Sequence, residues 1–208
     1  MRKILFILIF GIVACGQSKL KSISSEASTK NTISEALPPK KNYLDSIPPF
    51  GKSVYNQHID KSTLLLIKHQ LPNWELPNPS NWERFWFKEF MKNGGLVNYI
   101  SGDFNCDNIN DYCILLQNAE REFAVWVLQS QQDTFSAIKL WDIGKPITQL
   151  EIGLEVVPTG PLFYIDFQND NPKQIDLKCP GIQIISFEKA ASTYYWKDGN
   201  YKSVVTGD

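Results

Sequence analysis

The stretch GDFNCDNINDYCILLQNAEREFAVWVL, residues 102–128, holds both the organising pattern of this chain and its one chemically suggestive loop. In its second part, residues 112–116 and 123–128 are short runs of aliphatic and aromatic side chains, separated by the polar cluster 118–122. Runs of that length and composition bounded by turn-forming residues read as β-strands. Working outward, 97–101 precedes the loop as a strand, and 135–141 follows the polar turn 129–133, so the stretch is the centre of an antiparallel meander. Residues 182–187, 193–196 and 201–205 are β-rich as well, and Lys197-Asp198-Gly199-Asn200 supplies the Asp-Gly signal of a tight hairpin.

Upstream the period changes from strand-like to helical. Asp60 or Ser62 can cap a helix on which Leu64, Ile67 and Leu71 share a face, ended by Pro72. Ser80-Asn81-Trp82-Glu83 has the form of a capping box, with Trp82, Phe85, Trp86 and Phe90 at helical spacing and Asn93-Gly94 as a stop. Pro146, Pro158, Pro161 and Pro172 break up residues 142–175, which leave 162–167 as one further strand. Two helices followed by many strands predict an α+β domain, an antiparallel meander sheet with both N-terminal helices packed on one face.

The first part of the opening stretch places side-chain oxygens at Asp103, Asn105, Asp107 and Asp111. Hard cations such as calcium take six to eight oxygen ligands, and alternating side chains of a coiled loop can supply them. Counted from Asp103 as position one, Asn105, Asp107 and Asp111 fall at three, five and nine, and Ile109 offers its carbonyl at seven. Position twelve is Ile114, so the bidentate Glu of an EF-hand is missing. The pattern resembles instead the strand-loop-strand calcium motif of FG-GAP and related propeller repeats, with Cys106 and Asn108 in place of its two glycines. That resemblance implies a structural calcium held by Asp103, Asn105, Asp107, Ile109 and Asp111; three formal negative charges without a position-twelve Glu set the expected affinity as weak, roughly 10⁻⁴ to 10⁻³ M. The alternative is an Asx-rich turn whose acids bind backbone amides.

At the N-terminus, Arg2 and Lys3 precede an apolar run from Ile4 to Val13, which is shorter than the roughly 20 residues of a spanning helix. Ile12-Val13-Ala14-Cys15 resembles the lipobox of bacterial lipoproteins, implying cleavage after a signal at 1–14 and a lipid on Cys15 that anchors the chain to a membrane. Gly16 in place of an inner-membrane retention Asp points to the outer membrane, and the lack of an acidic cluster after it to the periplasmic face. Residues 15–49, rich in Ser, Lys, Thr and Pro, read as a tether, and 50–208 as the globular domain. As a whole the chain resembles Bacteroidetes-type lipoproteins carrying a single such loop.

Apart from Cys15 the chain has Cys106, Cys113 and Cys179, which in an oxidising compartment predicts one disulfide and one free thiol, with all three pairings open. A formal net charge of −1 gives no electrostatic case for nucleic acid. His58 and His69 stand in no hydrolase motif, and no pair of carboxylates is singled out by spacing. Of the six tryptophans, Trp74, between Pro72 and Pro77, is the candidate for an exposed binding aromatic. The expected function is a non-enzymatic interaction or structural module with an unknown protein or glycan partner. A glycan- or wall-enzyme-binding lipoprotein is the alternative, and a carboxylate hydrolase comes third.

Overall fold

Cys113, Ile114, Leu115 and Leu116 are all completely buried. Successive side chains of a strand point to opposite faces, so four buried in a row require protein on both sides of the sheet. The computed structural model, which describes residues 52–92, 94–131, 134–146, 149–166 and 171–207, has this run at the centre of its architecture. It belongs to β3 (Asp111–Asn118), which pairs antiparallel along one edge with β4 (Phe123–Gln131). The other edge is shared by β1 (Trp74–Glu75) and β2 (Tyr99–Gly102). With β5 (Thr134–Gly144) on the far side of β4 they form a five-stranded sheet.

A second, four-stranded sheet has the order β11-β10-β9-β6, from β6 (Ile152–Val157), β9 (Gly181–Ser186), β10 (Ala190–Lys197) and β11 (Asn200–Gly207). β7 (Gly160–Asp166) and β8 (Asn171–Leu177) make a separate two-stranded ribbon. The main core lies between the two larger sheets: Cys113, Leu115, Val125 and Val127 of the first meet Leu154, Ile182 and Ile184 of the second. On the opposite face of the first sheet Ile114, Leu116 and Leu128 form a smaller cluster with Ile67 and Leu71.

The expectation of an α+β domain with two helices on one face is therefore corrected to a largely β fold, with 54% of the described residues in strand against 19% in helix, built from several antiparallel sheets. The described helices are short: α1 (Tyr55–His58), α2 (Lys61–Gln70) and α3 (Arg84–Lys92). α2 buries only Thr63 and Ile67 and α3 only Phe87, whereas β3 buries five of its eight residues and β4 seven of its nine. Since each fully buried large aliphatic or aromatic side chain contributes about 1.5–3 kcal/mol, the strands dominate the burial. The helices do not share a face either. Ile67 of α2 joins the cluster outside the first sheet, while Phe87 of α3 joins the core between the sheets.

α2 starts where expected, with Asp60 as N-cap accepting the Thr63 amide at 2.9 Å. The expected capping box of α3 does not form. Asn78 caps a 3-10 turn, Pro79–Asn81, through the Ser80 amide, and Trp82 enters the core at 1% exposure. Its indole N–H donates to the Ile152 carbonyl at 2.8 Å, so burial of that ring takes Trp82 out of the helix, which starts at Arg84. α3 then docks by aromatic stacking: Trp86 lies on Phe187 with ring centroids 4.4 Å apart, and Phe90 packs over Gly153 of β6.

The meander β3–β4–β5 and the terminal hairpin form as the sequence predicts, and Asp198 and Gly199 both take positive φ in the turn. β6 and β8 go beyond the sequence reading, in which the prolines between 142 and 175 break the backbone. Pro161 and Pro172 lie within the two-stranded ribbon, where a missing N–H is tolerated at an edge.

Candidate functional site

Gly102 and Asp111 are the last paired residues of β2 and β3, so 103–110 is the loop of a hairpin. Cys106 and Asn108 have φ of 62° and 66°, the left-handed region. These are the two positions at which the propeller-type motif carries glycine, and both take a conformation that Asn tolerates and Cys seldom adopts. Phe104, fully buried, anchors the loop from within, and its ring leaves only 3.1 Å for a Cβ on Gly102.

The side-chain oxygens are turned onto the backbone. Asp103 accepts the amides of Asp107 (3.0 Å) and Asn108 (2.9 Å), Asn105 accepts Asp107 (3.1 Å), and Asp107 accepts Ile109 (2.8 Å). The Asn105 amide also donates to Asp107 Oδ2 at 2.9 Å, which relieves repulsion among the carboxylates. Asp111 is wholly buried. Its Oδ2 accepts the Phe104 amide at 3.0 Å, and its Oδ1 accepts both the amide and the hydroxyl of Ser130, at 2.8 and 2.9 Å. Burial pushes the Asp111 carboxyl above its ordinary range; the hydrogen bonds from Ser130 and Phe104 oppose this, and the Asp107 charge adds to it.

Cys106 is bonded to Cys179, 73 residues away, with Cα atoms 5.4 Å apart. Of the three open pairings this one ties the loop to the chain between β8 and β9. Cys113 remains a thiol because its strand faces it into the core between the sheets; burial pushes its ionisation far up. Beneath the loop, the buried Tyr201 hydroxyl has no hydrogen-bond partner among the described residues. Burial first, and then the acidic groups nearby, Asp111 foremost, push that phenol upward.

Beside the disulfide opens a cleft of about 420 Å³, walled by Ile175 and Leu177 of β8 and by Tyr195 and Trp196 of β10. The sequence pattern did not single out these aromatics, nor Ser130 and Tyr201. The Asp-Gly turn carried part of the signal, since a two-residue turn there pairs Trp196 with Tyr201. Ser130 carried none, because residues 129–133 read as a turn, while Gln129 and Ser130 are buried in β4.

Trp74 lies elsewhere, on the edge strand β1. It is half-buried, edge-on to Trp126 at 5.3 Å, with the Lys139 ammonium 5.6 Å from its ring centre and 5.3 Å from that of Trp126. It borders an open depression of about 570 Å³ with Pro72, Asn73 and Glu120. Its ring is thus engaged with neighbours as well as accessible. Cys15, the signal at 1–14 and the tether at 15–49 lie outside the described residues. Among the described residues no three His, Cys, Asp or Glu side chains form a group that could hold a metal ion, and no helix is long and apolar enough to cross a membrane. No protein-family model matches the chain, and no curated protein or solved structure matches it either.

Proposed function

We propose that this chain is a non-catalytic binding and structural module of the bacterial cell envelope, lipid-anchored through Cys15 at the periplasmic face of the outer membrane, with 102–111 as a structural clasp. The observation that carries the clasp is the destination of the loop's side-chain oxygens: Asp103, Asn105, Asp107 and Asp111 all accept main-chain amides, and Cys106 is bonded to Cys179. Acids used in that way hold backbone in place, joining the ends of β2, β3 and β4 to the corner before β9.

Calcium is part of the proposal. The oxygen-rich donor set and the two left-handed residues at Cys106 and Asn108 fit such an ion. Asp103, Asn105, Asp107 and the Ile109 carbonyl would hold it. Asp111 is enclosed behind them by Phe104 and Ser130 and would act as a support. The ion would supply charge neutralisation in a loop its own amides already close, so the effect on stability is modest. At about ten times a millimolar-range Kd, binding stabilises by about 1.4 kcal/mol.

The test is thermal melting of the full chain in EDTA and in excess calcium. The expected result is a rise of about 3–5 °C with calcium that disappears in Asp107→Ala. Equal melting points under both conditions in the parent chain remove the ion from the proposal and leave a clasp made of hydrogen bonds and the disulfide.

A further inference from the structure

The cleft beside the Cys106–Cys179 disulfide has a chemistry of its own. Its volume, about 420 Å³, falls within the range of small-ligand sites, roughly 300–1,000 Å³. The Trp196 ring is held edge-on by Tyr201, with centroids 5.0 Å apart, so its orientation is set before any ligand arrives. Tyr195 lines the same cleft, and Ile175 adds an aliphatic surface opposite.

The polar groups are balanced wall by wall. Asp176 and Lys178 stand on the β8 side, and Lys197 and Asp198 on the β10 side, so each wall carries one carboxylate and one ammonium. Among the described residues none of the four takes part in an ion pair. A strongly anionic or cationic ligand gains from two of these groups and is repelled by the other two. A neutral ligand with many hydroxyls can use either sign on either wall, donating to a carboxylate and accepting from an ammonium. Its apolar C–H face can lie on the indole. An extended peptide adding to the nearby ribbon is disfavoured, because Pro172 and Lys173 blunt β8.

We infer that this cleft is a binding site for a neutral oligosaccharide, with Trp196 as the stacking platform and Asp176, Lys178, Lys197 and Asp198 as the hydroxyl-binding rim. The inference rests on reading the domain as a binding module, and it does not depend on calcium. The experiment titrates the full chain in detergent with maltotetraose, cellotetraose and triacetylchitotriose, followed by saturation-transfer NMR and calorimetry. The expected result is saturable binding of at least one sugar, unchanged by EDTA and weakened at least about tenfold in Trp196→Ala. The exposed pair Asp176→Asn and Asp198→Asn, which leaves the aromatic packing alone, is expected to weaken it as well. Trp74→Phe should leave it unchanged. No binding of any of the three sugars, or binding that survives both the Trp196 and the double Asp substitutions, overturns the assignment. So does capture of a short peptide in the cleft in preference to the sugars. Absence of sugar binding in a parent chain whose melting point still rises with calcium overturns the cleft alone and leaves the clasp standing.

Discussion

Replacing Cys106 and Cys179 together by Ser should cost more stability than any other change at the loop. The crosslink spans a sequence separation of 73, and its principal effect is to restrict the unfolded chain. The chain-entropy relation for a closed segment of that size gives about 4 kcal/mol at room temperature. For a domain of this size each kcal/mol moves the melting temperature by about 2–4 °C, so the expected fall is about 8–16 °C. Position 106 also keeps its positive φ in the variant, so the conformational cost stays while the bond that secures it is gone. Urea unfolding of the double variant measures the loss as a lower midpoint, and reduction of the parent chain should reproduce it. Cys113 supplies the control: it is buried in β3, and Cys113→Ala should leave the response to reductant unchanged. A loss below about 1 kcal/mol with an unchanged urea slope would refute the reasoning. It would mean that the hydrogen bonds of Asp103 and Asp111 hold the loop without help from the crosslink.

Three further outcomes follow from contacts within the fold. Asp111 has a raised folded-state pKa, so the folded chain holds that proton more tightly than the unfolded chain, and this contribution to stability declines as pH rises from about 3.9 through the raised value. Asp60, held down to about 2 by Ser62 and Thr63, gives the opposite slope: its contribution is present above its ordinary value and lost as pH falls toward about 2. Comparing urea midpoints of parent and Asp111→Asn from about pH 4 to 7 therefore isolates the Asp111 slope, which should vanish in the variant together with about 1–3 kcal/mol of stability; equal slopes would count against it. Gly153→Ala puts a Cβ within 2.5 Å of Phe90 Cζ and 3.0 Å of Phe187 Cε1, and should destabilise by about 1–3 kcal/mol. Adding Phe90→Leu should recover part of that loss; simple additivity of the two changes would show that α3 does not dock through this contact.

How much of the molecule could be read in advance depended on the range of the forces involved. The central meander, the Asp60 cap and the Asp-Gly turn are set by neighbours within a few residues, and all three appear at the predicted positions. The loop was legible for the same reason: its oxygens serve amides two to seven residues away, apart from those joining Asp111 to Ser130. β6 and β8 were not legible, because each is a strand only by virtue of its partner, β9 for one and β7 for the other.

By itself, then, the sequence determined local matters: which runs of the central meander and the terminal hairpin extend, where α2 begins, and that 102–111 is an oxygen-rich loop between two strands. Tertiary structure alone decided that the fold is largely β, that α2 and α3 serve different layers, and that Cys106 meets Cys179 and not Cys113. The physical reason is that burial and crosslinking act between residues tens of positions apart. Indole burial at Trp82 outweighed a local capping signal, and the pairing of strands placed Trp196, Tyr201 and the disulfide around one end of the molecule.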